Sequence, residues 1–185
     1  MEVTPLRIPD VLLIEPCIFE DARGFFFESF REDIFRKETS LNVSFVQDNH
    51  SKSSEGVLRG LHYQIPPHAQ GKLVRVIEGE VLDIAVDIRG SSPTCGQYVA
   101  EILSGDNKKQ LYIPEGFAHG FLTLSETSEY FYKTTDFYHP ECERCILWND
   151  ATLNIAWPKH LNIQLSPKDL LGESFKSSKL FSYKQ

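Results

Sequence analysis

The stretch VLDIAVDIR, residues 81–89, constrains the fold more than any other. Leu82, Ile84, Val86 and Ile88 alternate with Asp83, Ala85, Asp87 and Arg89, the period of two expected of a strand with one buried face. The pattern extends in both directions. KLVRVIEGEVLDIAV predicts two strands around a turn at Gly79. KKQLYIPEGFAHGFLTLSE gives two more short runs broken by Pro114 and Gly116, SEYFYKTTDFY alternates again, and CILWNDATLNIAW reads as a last pair. REDIFRKETS is the only long helical candidate. Short strands with turn signals between them predict an all-β, antiparallel sandwich or barrel; a parallel sheet would need crossover helices that this pattern lacks. In a double-sheet jelly roll, inward side chains from several strands converge on an interior site. Polar residues on the inward face are therefore the ones to examine.

At 185 residues, of which 41% are hydrophobic, the chain reads as one domain, 1–185, able to bury a core without staples. No apolar run approaches the ~20 residues of a membrane span, and MEVTPLRIPD lacks the basic start and apolar segment of a secretory signal. A cytoplasmic location is expected, with Cys17, Cys95, Cys142 and Cys145 as free thiols. In HPECERC, His139, Cys142 and Cys145 have zinc-like spacing, but a structural zinc site usually pairs two half-sites and no second one exists. The formal charge of −7 argues against nucleic acid, which wants a basic stripe. It leaves room for a small anion, because a few clustered Arg and Lys can reverse the local field in a cleft.

His62 in GVLRGLHYQ and His119 in IPEGFAHGF lie in strand-like surroundings. A glycine–histidine segment, a later GxV hairpin at Gly79 and a PxGxxH segment together resemble the cupin pattern. Metal-binding cupins carry two histidines one residue apart and then a carboxylate. Here Gln64 stands where the second histidine would be, and Lys72 falls where the acid is wanted. An ammonium adds like charge and has no lone pair to give, so no metal is expected. A lone strand histidine is most simply a core residue bonded to a carbonyl. The company of Arg59, Lys72 and His119 points elsewhere, because buried cations without acids are costly unless an anionic ligand completes them. Tyr132 and Tyr138 admit two readings as well, core aromatics or phenols lining a polar cavity.

Seven blocks, DARGFFFESF, FVQDNHSKSSEGVLRGLHYQ, GKLVRVIEGEVLDIAVDIRGSSPT, QLYIPEGFAHGF, YKTTDFYHPECE, LWNDATLNIAWP and LSPKD, closely resemble those of dTDP-4-dehydrorhamnose 3,5-epimerases. They run in order from about residue 20 to residue 170, and the residues from about 172 read as a polar tail. The resemblance implies a cupin-type jelly roll, a homodimer, and neither metal nor cofactor. It also implies a thymidine-diphosphate-linked 4-keto-6-deoxy sugar epimerised at C3 and C5 on the way to dTDP-L-rhamnose. By resemblance His62 is the base, Asp169 its orienting carboxylate, Tyr132 the acid on the other face, and Lys72 the group at the enolate oxygen. Arg59 and Lys168 would face the diphosphate, and Tyr138 would stack on thymine. Gln47, Asp48, Asn49, His119 and Glu143 match further substrate contacts, and Arg23, Phe26 and Glu28 match a segment that reaches the nucleotide, often from a neighbouring subunit. Cys95, Cys142 and Cys145 fall outside that chemistry. Two alternatives stay open: a mono-epimerase acting at one carbon, and a non-catalytic cupin that binds a nucleotide sugar.

Overall fold

A computed structural model describes residues 1–182. The strands are β1 (Glu2–Pro5), β2 (Leu12–Glu15), β3 (Phe19–Asp21), β4 (Gly24–Phe26), β5 (Gln47–Ser54), β6 (Leu58–Gln64) and β7 (Lys72–Glu78), with helix α1 (Glu32–Thr39) before β5. They continue as β8 (Glu80–Asp87), β9 (Tyr98–Ser104), β10 (Gln110–Ile113), β11 (Phe117–Thr123), β12 (Thr127–Thr134) and β13 (Glu143–Cys145), followed by the single turn α2 (Pro167–Leu170). All named strand pairs are antiparallel. One sheet runs β1-β2-β10-β7-β12-β5, the other β13-β6-β11-β8-β9, and β3-β4 forms a separate hairpin. This is the jelly roll that the turn-punctuated strands predict.

The two sheets face each other across a core of Val74, Val76, Leu111, Ile113 and Tyr130 on one side and Val81, Ala85, Val99, Leu103, Phe117 and Phe121 on the other. Their outer faces are covered too. Phe35, the one buried residue of α1, packs with Leu12, Ile14, Leu73 and Tyr112 outside the six-stranded sheet. Leu58, Leu61, Ile84, Val86 and Leu122 pack outside the other sheet beneath Ile146, Leu153 and Trp157.

Four expectations are corrected by this packing. The strand β8 is not half-buried: Ile84 and Val86 are sealed on one face, and Asp83, Ala85 and Asp87 on the other. Its alternation separates an apolar outer layer from an inner face where Asp83 and Asp87 sit beside the apolar core residues Val81 and Ala85, not core from solvent. The strands flanking Gly79 do not pair; β7 and β8 belong to opposite sheets, and Gly79 marks the corner between them. Its φ of 78° and a Cβ that would meet the Thr127 carbonyl require glycine there. CILWNDATLNIAW contributes only the end of β13; the rest runs as turns capped by Asp150, whose Oδ1 accepts from the Thr152 and Leu153 amides at 2.8 and 3.1 Å. The tail is held as far as it is described. Phe181 donates its amide to Ile88 and accepts from Gly90, and Phe175 and Phe181 pack on the outer apolar layer. Two spaced phenylalanines anchor a largely polar stretch.

Candidate active site

The site begins with an irregularity in β6. Along its ladder with β11, His119 pairs with His62 and Phe121 with Arg59, so two residues of β6 oppose Gly120 alone. Such a bulge adds one residue and resets which side chains share a face. In a regular strand, positions three apart point opposite ways. Here Arg59 and His62 both line the interior, while Leu58 and Leu61 both join the outer layer. Gly60 makes this possible. Its φ is 132°, and a Cβ would lie 2.5 Å from the Gly120 Cα.

The bulge faces a polar cavity of about 420 Å³ between the sheets, within the range of small-molecule sites. His62 comes from the five-stranded sheet, while Lys72 and Tyr132 come from the six-stranded one. His62 Nε2 lies 2.6 Å from Asp169 Oδ1. Asp169 is held by its own helix turn. Ser166, the N-cap of α2, accepts from the Asp169 amide and donates its hydroxyl to Asp169 Oδ2 at 2.7 Å. Burial pushes the Asp169 carboxyl up, but hydrogen bonds from His62 and Ser166 outweigh it and hold the group below the usual carboxylate range. An ionised Asp169 accepts the Nε2–H of a neutral imidazole and leaves Nδ1 as its basic nitrogen.

Lys72 is buried, and its Nζ donates to the His62 carbonyl at 3.4 Å across the barrel. Burial lowers its ammonium from 10.5 to about 8, against the pull of Asp83 and Glu143. Burial also raises the Tyr132 phenol, aided by Glu143, so it remains a proton donor. Behind them His119 is buried with Asp83 and Tyr130. Its Nε2 lies 3.1 Å from each Asp83 oxygen and 3.2 Å from the Tyr130 hydroxyl, which itself donates to Asp83. Burial depresses the His119 imidazole more than Asp83 raises it.

At the mouth, Arg59 is held by Ser53 Oγ at 3.1 Å and the Lys52 carbonyl at 3.3 Å, neither of which carries charge. Lys168 pairs with Glu143, which also accepts from the Tyr138 hydroxyl at 2.6 Å. Gln47 bonds Asn49 Oδ1 at 3.0 Å and accepts from the Tyr138 amide at 3.0 Å. Gln64, where a metal cupin wants a histidine, is spent on backbone groups of His68, Phe137 and His139.

The fold thus brings together His62, Lys72, Tyr132, Asp169, Arg59, Gln47, Asn49, His119, Tyr138, Glu143 and Lys168 around one cavity. Four expected contacts lie elsewhere. Asp48 points to the outer face of β5, where it pairs with Lys133 at 2.9 Å; the strand alternation separates it from Gln47 and Asn49. Arg23 is exposed and paired with Asp21, Phe26 is 66% exposed on the β3–β4 hairpin, and Glu28 lies 3.5 Å from Arg31. Sequence reasoning missed Ser166, Asp83 and Tyr130. Ser166 was legible: SPKD has a serine three residues before an acid with proline at the first helical position. Nothing in the pattern of β8 marked Asp83 as facing His119.

A jelly roll whose interior sets a histidine–carboxylate pair on one wall against a lysine and a tyrosine on the other has the arrangement of a cupin-type acid–base enzyme, with candidate base and acid facing each other across one cavity. The family model described as dTDP-4-dehydrorhamnose 3,5-epimerase matches residues 5–177. A Pseudomonas aeruginosa protein named dTDP-4-dehydrorhamnose 3,5-epimerase is 58% identical over 181 residues, covering 98% of this chain and 99% of its own. The crystal structure of a dTDP-6-deoxy-D-glucose-3,5-epimerase from Legionella pneumophila in complex with dTDP-4-keto-L-rhamnose is 48% identical. It covers 100% of this chain and 99% of its own, with a TM-score of 0.95. A 3'-monoepimerase from Streptomyces bikiniensis in complex with dTDP-quinovose is 32% identical, covers 96% of this chain and 88% of its own, and gives a TM-score of 0.89. The chain belongs to the dTDP-4-dehydrorhamnose 3,5-epimerase family.

Proposed function

We propose that the chain epimerises dTDP-4-dehydro-6-deoxy-D-glucose at both C3 and C5 to dTDP-4-dehydro-L-rhamnose, with His62 as base and Tyr132 as acid. The observation that carries this is their placement on opposite sheets of one cavity. Inversion at carbon needs a proton removed from one face and returned to the other. C3 and C5 both flank the C4 ketone, so each C–H can ionise to an enolate. Nδ1 of His62 takes the proton and the electron pair moves to O4. The Tyr132 hydroxyl then delivers its proton to the opposite face as the carbonyl reforms. Histidinium and phenolate are left, to be reset by exchange with solvent. The Lys72 ammonium stabilises the charge developing on O4. Asp169 fixes the tautomer and offsets the positive imidazolium, as an aspartate does in a hydrolase triad. Arg59 and Lys168 meet the diphosphate, and Tyr138 offers the thymine a flat face. Every step uses groups of this chain, which supports a reaction without cofactor or metal.

A homodimer belongs to the same reading. Arg23, Phe26 and Glu28 lie outside their own cavity, and the cross-strand pair Phe19 and Phe26 is exposed on the β3–β4 hairpin. Such a patch suits an interface, and a second copy seated on it would place these residues near a neighbouring site. A cytoplasmic enzyme is the reading consistent with a sugar-nucleotide substrate; no helix among the described residues is long and apolar enough to cross a membrane.

The test is solvent exchange. Incubated in deuterated water, the substrate acquires deuterium at C3 and C5, followed by NMR. His62→Ala and Tyr132→Phe each suppress turnover while the chain stays folded. Label at one carbon alone identifies a mono-epimerase, and near-normal exchange in His62→Ala removes His62 as the base.

A further inference from the structure

We propose that His68, Asp136 and His139 form a binding site for a divalent transition-metal ion of the zinc type, clamping the β6–β7 loop to the β12–β13 loop beside the cavity mouth. One donor atom from each residue lies within 4.8 Å of the other two. His68 Nδ1 is 3.0 Å from Asp136 Oδ2, and the His68 and His139 rings lie face to face at 3.4 Å and 12°. Donors around a tetrahedral zinc stand roughly 3.4 Å apart, from metal–ligand bonds of about 2.0–2.1 Å. At 3.0 Å the His68–Asp136 pair is close to that spacing, and the stacked imidazoles, whose donors lie within 4.8 Å of it, converge on one ion only if the two rings splay apart. All three side chains are about one-third exposed, at 33%, 30% and 31%, so an ion in solution can reach them. Two imidazoles with a carboxylate suit zinc, nickel or copper better than magnesium or calcium, which prefer all-oxygen sets.

The donors sit on a fixed frame. Gln64 gives one amide hydrogen bond to the His68 carbonyl at 2.7 Å and another to that of Phe137 at 3.1 Å, while accepting from the His139 amide at 2.7 Å. Gln70 and Thr134 both donate to the Asp136 carbonyl, at 2.8 and 2.9 Å. Asp136 Oδ1 accepts from the Phe137 amide at 2.7 Å, which leaves Oδ2 turned toward His68. Glu141 Oε1 lies 3.0 Å from His139 Nδ1, the carboxylate behind a histidine that orients the ring and strengthens it as a ligand. Asp136 and Glu141 together supply two negative charges against a dication. The spacing in HPECERC grouped His139 with Cys142 and Cys145; the fold gives it other partners. Cys142 is buried in the outer apolar layer. Cys145 lies near His62 and Asp169, but burial and the Asp169 charge push its thiol up to about 12, so a thiolate ligand is costly there. Tyr138 lies between Phe137 and His139, so an ion would pin the aromatic of the cavity mouth.

The experiment uses the full chain stripped with chelator, titrated with Zn²⁺ by calorimetry and with Co²⁺ by visible absorption. One ion per chain binds at micromolar concentration, with a cobalt spectrum lacking a thiolate charge-transfer band. The double variant His68→Gln, His139→Gln binds at least tenfold more weakly, and Cys145→Ser binds as the parent does. Should the double variant not fold by circular dichroism, His139→Gln alone shows the loss. No saturable binding up to millimolar Zn²⁺, undiminished binding in the histidine variants, or a thiolate band lost in Cys145→Ser would each overturn the proposal. None of these readouts depends on epimerase activity.

Discussion

Replacing Lys72 with methionine should make the protein more stable and stop it working. The methionine keeps most of the apolar stem between the sheets and removes the ammonium. Burial lowers that ammonium from 10.5 to about 8, net of its attraction to Asp83 and Glu143. At about 1.36 kcal/mol for each pH unit, the buried charge costs the folded state roughly 3 kcal/mol at neutral pH. Lys72→Met should recover about 1–3 kcal/mol of it, because the two carboxylates lose their partner. The sign of the pH dependence follows from the lowered value. Below pH 8 both folded and unfolded states carry the proton, and the penalty is complete. Between pH 8 and 10.5 the unfolded chain still binds the proton and the folded one does not, so the parent gains stability as pH rises. The advantage of Lys72→Met is therefore greatest near pH 7 and fades by about pH 10.5. Urea unfolding of both proteins at a series of pH values measures it. A parent more stable than the variant at pH 7, or a difference that does not shrink as pH rises, would refute the reasoning. Turnover should fall on the order of a hundredfold or more with loss of the charge at O4.

Asp169→Asn should lower kcat on the order of 10²–10⁴ with little change in KM, since an amide cannot hold the imidazolium or set its tautomer; steady-state kinetics separate the two constants. The same variant should flatten acid unfolding. The folded Asp169 carboxyl sits low, so its stabilisation is present above the unfolded value and is lost as pH falls through the folded one. Ser166→Ala removes the cap of α2 and the hydroxyl on Asp169 Oδ2. It should cost about 1 kcal/mol in denaturant unfolding and reduce kcat by loosening the dyad. Gly60→Ala forces a Cβ against Gly120 at a φ of 132°. Soluble expression and melting temperature should both drop, and a well-folded, fully active Gly60→Ala would show that the bulge does not set Arg59 and His62.

The alternation of residues 81–89 was enough for strands, and the Gly and Pro breaks for an antiparallel all-β chain, because period and punctuation are local properties. REDIFRKETS likewise reads as a helix and forms one over Glu32–Thr39. The resemblance placed His62, Lys72, Tyr132 and Asp169 in one reaction, and the fold gathers them around one cavity. Asp48 stands apart from Gln47 and Asn49, paired with Lys133, because adjacent strand residues point to opposite faces. Arg23, Phe26 and Glu28 stand outside their own cavity because the hairpin that carries them leaves the barrel.

What the sequence by itself determined is the set of strands and the chemical types inside it, since each depends on neighbours a few positions away. Only the tertiary structure decided that β7 and β8 part at Gly79 into opposite sheets, and that one extra residue in β6 turns Arg59 and His62 to the same side. It alone set His139 against His68, and it gives the 2.6 Å contact behind the Asp169–His62 pairing that the resemblance implies across 107 residues. These pairings depend on which sheet a strand joins and in what register, and that is fixed by packing across the barrel rather than by any local pattern.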